Sequence, residues 1–211
     1  MAIILPSIAS ANPLCYAEEV RRLGTVPHLH FDIEDGNFIP NITFGMKTVR
    51  AVSSISKAEK DAHLMTTNPM EYIDPLHEAG MQAICFHIES ALYPLQALNK
   101  IKKLGMKAGL AVNLKTPLEQ LRMFLGNIDY LLVMTSEADY GNQDFHPLAV
   151  ERVKQAKEML YPGTQLWVDG GVGLDQLRLL VQAGIDAAVM GRAVFQSPDP
   201  EAAVYQMEQI C

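Results

Sequence analysis

Apolar and polar positions alternate along the chain in two periods that take turns. Eight short apolar runs recur: 3–10 (IILPSIAS), 29–33 (LHFDI), 61–65 (DAHLM), 83–88 (AICFHI), 107–113 (KAGLAVN), 130–135 (YLLVMT), 166–170 (LWVDG) and 187–192 (AAVMGR). Their length and β-branched content predict buried strands. Between them lie stretches with apolar residues three and four apart, which predict amphipathic helices over 12–24, 46–55, 68–80, 93–105, 116–126, 146–160, 173–184 and 200–210. Several of these stretches open on Asn-Pro, Thr-Pro or His-Pro and close on Gly, the residues preferred in a first helical turn and just past a last one.

Strand and helix thus alternate from end to end, without a composition break, a linker or a low-complexity segment. The expected fold class is α/β, a single TIM (β/α)8 barrel spanning residues 1–211, a little below the usual size of about 250 residues. An open doubly wound sheet is the competing arrangement. Against it, no GxGxxG follows the first strand.

In a βα barrel the strand ends converge on one mouth, so polar residues at those ends meet however far apart they are in sequence. Ser7, His30, Asp32, His63, Asn113, Asp169 and Gly191 all occupy such ends. His30 and Asp32, two apart, share a strand face. Together with His63 and Asp169 they make a nitrogen and oxygen donor set suited to one divalent metal ion: Zn, Fe, Mn or Co. His28, His77 and His146 read as surface or loop residues, and His87 as a packing residue or one that supports a ligand from behind. Gly170, Gly171 and Gly191, with Arg192 beside them, follow the seventh and eighth strands, where barrels often bind phosphate on backbone N–H groups.

Composition narrows the partners. A 49% hydrophobic and 19% charged chain is that of an ordinary globular protein. The net charge of −7 argues against a nucleic-acid or anionic-membrane surface, though local amides can still hold a small anion. Cys15, Cys85 and Cys211 are widely separated and odd in number, which fits reduced thiols and a cytoplasmic setting. The opening MAIILPSIAS lacks a basic leader and is broken by Pro6, as a first strand rather than a signal peptide would be. No apolar run is long enough to cross a bilayer.

A series of motifs resembles the ribulose-phosphate 3-epimerase family over nearly the whole length. PSIASAN is similar to the family's opening strand, and HFDIEDGNFIPNITFG to its motif H-x-D-x-M-D-G-x-F-V-P-N. DAHLM, FHIES, LVMTSE, VDGGV and MGRAVF follow in the family's order. The resemblance implies a barrel of the ribulose-phosphate-binding type that inverts C3 of a phosphorylated ketose, D-ribulose 5-phosphate to D-xylulose 5-phosphate first among them, and that forms a homo-oligomer. It implies metal ligation by His30, Asp32, His63 and Asp169, with Asp32 and Asp169 also the acid/base pair. Ser7, Met65 and Met134 would meet the substrate, while Gly141, Asn142, Gly170, Gly171, Gly191 and Arg192 would lie at its phosphate.

The departures bear on the substrate. Glu34 stands where the family has methionine. On an extended strand it shares the face of Asp32, there to ligate the metal, contact a sugar hydroxyl or raise the pKa of a neighbouring acid; if the strand has already bent at Asp35-Gly36, it faces solvent. Asn12 replaces an aspartate, Asp139 and Asn142 replace glycines in the sixth loop, and Lys115 replaces a glycine after the fifth strand. These changes leave open a six-carbon substrate such as allulose 6-phosphate, and a sugar-phosphate-binding paralogue without catalysis.

Overall fold

Alternation of side chains along each extended run gives the sheet two apolar faces of different kinds. On the second strand Leu29, Phe31 and Ile33 pack with the helix-facing core, while His30, Asp32 and Glu34 turn to the other side. The computed structural model describes residues 2–137 and 144–211. Its strands are β1 Ile3–Pro6, β2 His28–Glu34, β3 Glu59–Met65, β4 Ala83–His87, β5 Lys107–Val112, β6 Tyr130–Met134, β7 Gln165–Asp169 and β8 Ala187–Met190. All pair in parallel in the order β1-β8-β7-β6-β5-β4-β3-β2. A parallel bridge from Ser7 to His30 joins β1 to β2 and closes the ring at the mouth.

The helices are α1 Tyr16–Arg22, α2 Met46–Ile55, α3 Ile73–Glu78, α4 Pro94–Lys103, α5 Ala149–Met159, α6 Leu174–Gln182, α7 Arg192–Phe195 and α8 Pro200–Glu208. Proline opens α4 and α8, and Asp199 caps α8 by accepting from the N–H of Ala202 at 3.0 Å. One expected helix does not form. Residues 116–126 fold instead as two 3-10 turns, Leu118–Leu121 and Leu125–Asn127. These turns are closed by bonds to the third residue back, Gln120 to Pro117, Arg122 to Glu119, Phe124 to Leu121 and Asn127 to Phe124, and Gly126, a poor helix former, falls in the second. Leu118, Leu121 and Leu125 are still buried. The short α7 was not foreseen.

The outer core lies between sheet and helices. A second apolar cluster fills the barrel, with Leu5, Cys85, Tyr130, Leu132, Trp167 and Val189 among its members. Tyr130 and Trp167 stack with ring centroids 4.0 Å apart. That plug leaves the upper ends of β2, β3, β4 and β7 to polar groups. It depends on Gly109, because a Cβ there would overlap the Tyr130 ring and lie 2.8 Å from the Cβ of Cys85. Gly109→Ala is expected to destabilise the fold by about 1–3 kcal/mol through overpacking. Urea denaturation checks this, and an unchanged midpoint refutes it.

Candidate functional site

The period of two on β2 and β3 sends His30, Asp32 and Glu34, and likewise Asp61, His63 and Met65, into the barrel mouth. Register then pairs Asp32 with His63 and Glu34 with Met65. Asp169, the last residue of β7, enters from another wall and pairs in register with Met134 of β6. His30, Asp32, His63 and Asp169 are all buried, and one donor atom from each lies within 4.8 Å of the others. The four expected ligands do converge.

Each ring nitrogen in this cluster has an assigned neighbour. Nδ1 of His30 faces Oδ1 of Asp61 at 2.5 Å, and its Nε2 faces Oδ1 of Asp32 at 3.1 Å. Nδ1 of His63 lies 3.1 Å from Oδ2 of Asp169 and 3.4 Å from Oδ1 of Asp32. Ser7 donates its hydroxyl to Oδ2 of Asp32 at 2.5 Å. Asp61, which the sequence reading did not single out, supports His30 from behind, as carboxylates commonly support ligating imidazoles. The signal was available: Asp61 stands two residues before His63, on the same strand face.

Burial and mutual charge push these groups apart. Burial alone would raise the Asp32 carboxyl, but His30 and His63 outweigh it and hold the group well below the usual carboxylate range. Burial, and then the charge of Asp32, raise Asp169. For His30, burial is outweighed by Asp61 and Asp32, which raise it well above an ordinary imidazole; His63 is raised against burial by Asp169 and Asp32. A cluster with this field favours a cation in its midst, whether a proton or a metal. Two imidazole nitrogens and two carboxylates are the donors that borderline divalent metals accept. The residues fit the ion.

β2 runs through Glu34, which is buried, so Glu34 shares the face of Asp32 rather than facing solvent. Asn41 donates to its Oε2 at 2.6 Å. Burial, and then the neighbouring charge of Asp32, push its carboxyl up to about 7. Met65 and Met134 are 2% and 1% exposed, and add polarisable, non-titrating walls. His87 is buried with Nε2 2.8 Å from Nε2 of His63, so it makes a polar contact with the cluster rather than merely filling space. Burial, foremost, lowers it to about 4.

Beside the cluster, a cavity of about 210 Å³ is lined by Ser10, Gly171, Gly173, Gly191 and Arg192 among others. Ser10 and Gly173 were not foreseen. A Cβ at Gly191 would collide with the Ser10 hydroxyl, so glycine keeps this floor open. Gly170 packs instead against Ser136 at φ +113°, one residue short of the cavity lining. Lys115 and His146 line a separate hollow of about 430 Å³ with Arg152. Gly141 and Asn142, with Asp139, lie outside the described residues.

The model of the ribulose-phosphate 3 epimerase family matches residues 3–195. A ribulose-phosphate 3-epimerase of Mycobacterium tuberculosis is 35% identical over 205 residues, covering 96% of this chain and 90% of its own. That of Aquifex aeolicus is 34% identical over 215 residues, covering 100% and 97%. The cytoplasmic isoform of Oryza sativa is 36% identical over 206 residues, covering 94% and 90%. Among solved structures, KGPDC from Streptococcus mutans superposes with a TM-score of 0.77 at 13% identity, covering 100% of this chain and 97% of that one. Orotidine 5'-phosphate decarboxylase from Pyrococcus horikoshii OT3 gives 0.68 at 15%, covering 100% and 98%. At such identities these two likenesses concern the barrel alone.

Proposed function

We propose, from the premise that the chain belongs to the ribulose-phosphate 3-epimerase family, that it inverts C3 of a phosphorylated ketose, with D-ribulose 5-phosphate to D-xylulose 5-phosphate as the first candidate. Membership makes it an isomerase of the epimerase type. The observation that carries the finer reading is the pair of buried aspartates, one entering from β2 and one from β7, whose carboxyl groups meet in one cluster. Inversion needs a base on one face of a carbon and an acid on the other, and two carboxyl groups entering from different walls of the barrel can share those roles.

In one direction Asp32, ionised, takes the C3 proton, and the electron pair of that C–H bond moves into an enediolate spanning C2 and C3. Asp169, protonated, returns a proton to C3 from the opposite face. The roles exchange in reverse. Ser7, bonded to Asp32, holds that carboxylate in one orientation. A divalent cation held by His30, Asp32, His63 and Asp169 supplies, when bound, the positive charge that offsets the enediolate oxygens. Met65 and Met134 flank the planar intermediate without offering it stray protons. Gly171 and Gly191, with Ser10 and Arg192, take the phosphate in the adjacent cavity, and Gly170 sets the turn that leads into it.

Glu34 favours a second reading of the sugar. Its Oε1 accepts no hydrogen bond from the described residues, so a substrate hydroxyl can take that place. Glu34→Met is expected to change the ratio of kcat/KM between five- and six-carbon ketose phosphates roughly 10- to 100-fold, the worth of one hydrogen bond to a charged group. An unchanged ratio removes Glu34 as the discriminator.

The deciding experiment incubates the metal-loaded protein in D2O with a panel of ketose phosphates, allulose 6-phosphate included, and follows C3 by NMR. Deuterium entering C3 with inversion supports the proposal. Loss of a carbon fragment points to a lyase or decarboxylase, and binding without exchange to a non-catalytic paralogue. The proposal extends to a cytoplasmic setting, consistent with three cysteines that form no disulfide. No helix among the described residues is long and apolar enough to cross a membrane. It extends also to self-association, for which Leu14, Leu92 and Met123, 93%, 82% and 82% exposed, offer apolar surface on connections leaving β1, β4 and β5.

A further inference from the structure

We infer that His87 and Glu89 are positioning residues that hold the Nε2 proton of His63, so that its Nδ1, turned toward Asp32 and Asp169, is the nitrogen open to a cation. The inference rests on the metal centre proposed above and goes beyond it, since neither residue is a ligand.

The argument is one of proton count. The Nε2 atoms of His63 and His87 are 2.8 Å apart, which admits a single proton between them: two would collide, and two lone pairs would repel. On its far side His87 turns Nδ1 to Oε2 of Glu89 at 3.2 Å. The other oxygen of Glu89 accepts from the N–H of Asn113 at 2.9 Å and from the Thr116 hydroxyl. A carboxylate so surrounded by donors is an acceptor, so His87 presents Nδ1–H to it and, as a neutral ring, keeps a lone pair on Nε2. His63 must then carry its proton on Nε2. Its Nδ1, 3.1 Å from Asp169 and 3.4 Å from Asp32, is then the nitrogen that can exchange a proton for a cation at the point where the other ligands meet. The opposite polarity would fix an N–H there and block coordination.

The far end of the chain is anchored. Arg152 of α5 donates to the carbonyls of Asn113 and Thr116 at 2.9 and 2.6 Å, fixing the segment that fixes Glu89. The Phe38 ring lies against His87 at 4.8 Å and limits its rotation. His30 reaches the same end by a shorter route, with Asp61 directly behind it. The two ligating imidazoles are thus each backed by a carboxylate, one directly and one through a second imidazole.

The test measures Zn²⁺ affinity of the apoprotein by competition with a chromophoric chelator, together with histidine protonation sites by ¹⁵N NMR of the metal-free protein. His87→Leu keeps the bulk and loses the acceptor, and is expected to weaken Zn²⁺ binding 10- to 100-fold. His87→Gln, whose amide can accept from His63 and donate to Glu89, is expected to stay within about threefold of wild type. Wild-type spectra should show the proton on Nε2 of His63 and on Nδ1 of His87. Equal losses in the two variants, or a His87 ring protonated on Nε2, overturn the relay. Should Leu prevent folding, the tautomer measurement on wild type still decides. A wild-type protein that binds no divalent cation removes the metal centre itself, and the relay with it; tight binding that survives His87→Leu removes the relay alone.

Discussion

Asp32→Asn and Asp169→Asn are each expected to lower kcat for C3 inversion by about 10²–10⁴, the usual range for loss of a positioned acid or base. Asparagine keeps the shape of aspartate and can still accept the Ser7 hydroxyl bond, so the barrel should stand. What is lost is one of two proton sites. The surviving carboxylate can still remove a C3 proton from its own face and return a deuteron there. Each variant should therefore exchange one epimer in D2O without inverting it, and the two variants should exchange opposite epimers. NMR of C3 with each epimer as starting material reads this out. If both variants label the same epimer, the aspartates serve one face and the two-base scheme fails.

Stripping divalent metal with a chelator is expected to abolish turnover by at least about 100-fold, and a readded divalent ion to restore it. Loss of the cation leaves the buried carboxyl groups of Asp32 and Asp169 to the protons of this cluster, which His30 and His63, both raised, are placed to share. Stability should change too. Metal at 100 times its dissociation constant contributes about 2.7 kcal/mol, which raises Tm by roughly 5–11 °C in a domain of this size. The sign of the pH effect follows from the raised imidazoles: protons compete with the cation for both rings, so affinity should rise with pH through and above neutrality. Calorimetry of the apoprotein with and without Zn²⁺ or Mn²⁺ checks both effects. A Tm indifferent to metal at every pH would show that no ion sits among these groups.

Much of this architecture was legible because it is written in short-range periods. The runs at 29–33, 61–65 and 130–135 became β2, β3 and β6 since a strand's two faces each follow from every second residue. The segment 46–55 became α2 with the expected bounds. Residues 116–126 miscarried because their spacing of buried leucines suits an α-helix and a 3-10 turn alike, and the apolar pattern does not select between them. At the site, His30, Asp32, His63 and Asp169 could be grouped because strand ends in a barrel share a mouth. Asp61, Glu89 and Ser10 passed unnoticed because an aspartate inside a strand, or a polar residue in a connection, looks ordinary until its partner is known.

The chain by itself determined the alternation of strand and helix, the family, and which residue types stand at which strand ends. The tertiary structure alone decided that Glu34 stays on the buried face of β2, which carboxylate stands behind each imidazole, and that His63, His87 and Glu89 lie in line. The division has a physical cause. Periodicity is a property of neighbours in sequence, whereas hydrogen-bond polarity and carboxyl affinity depend on distances of a few ångströms between residues dozens of positions apart.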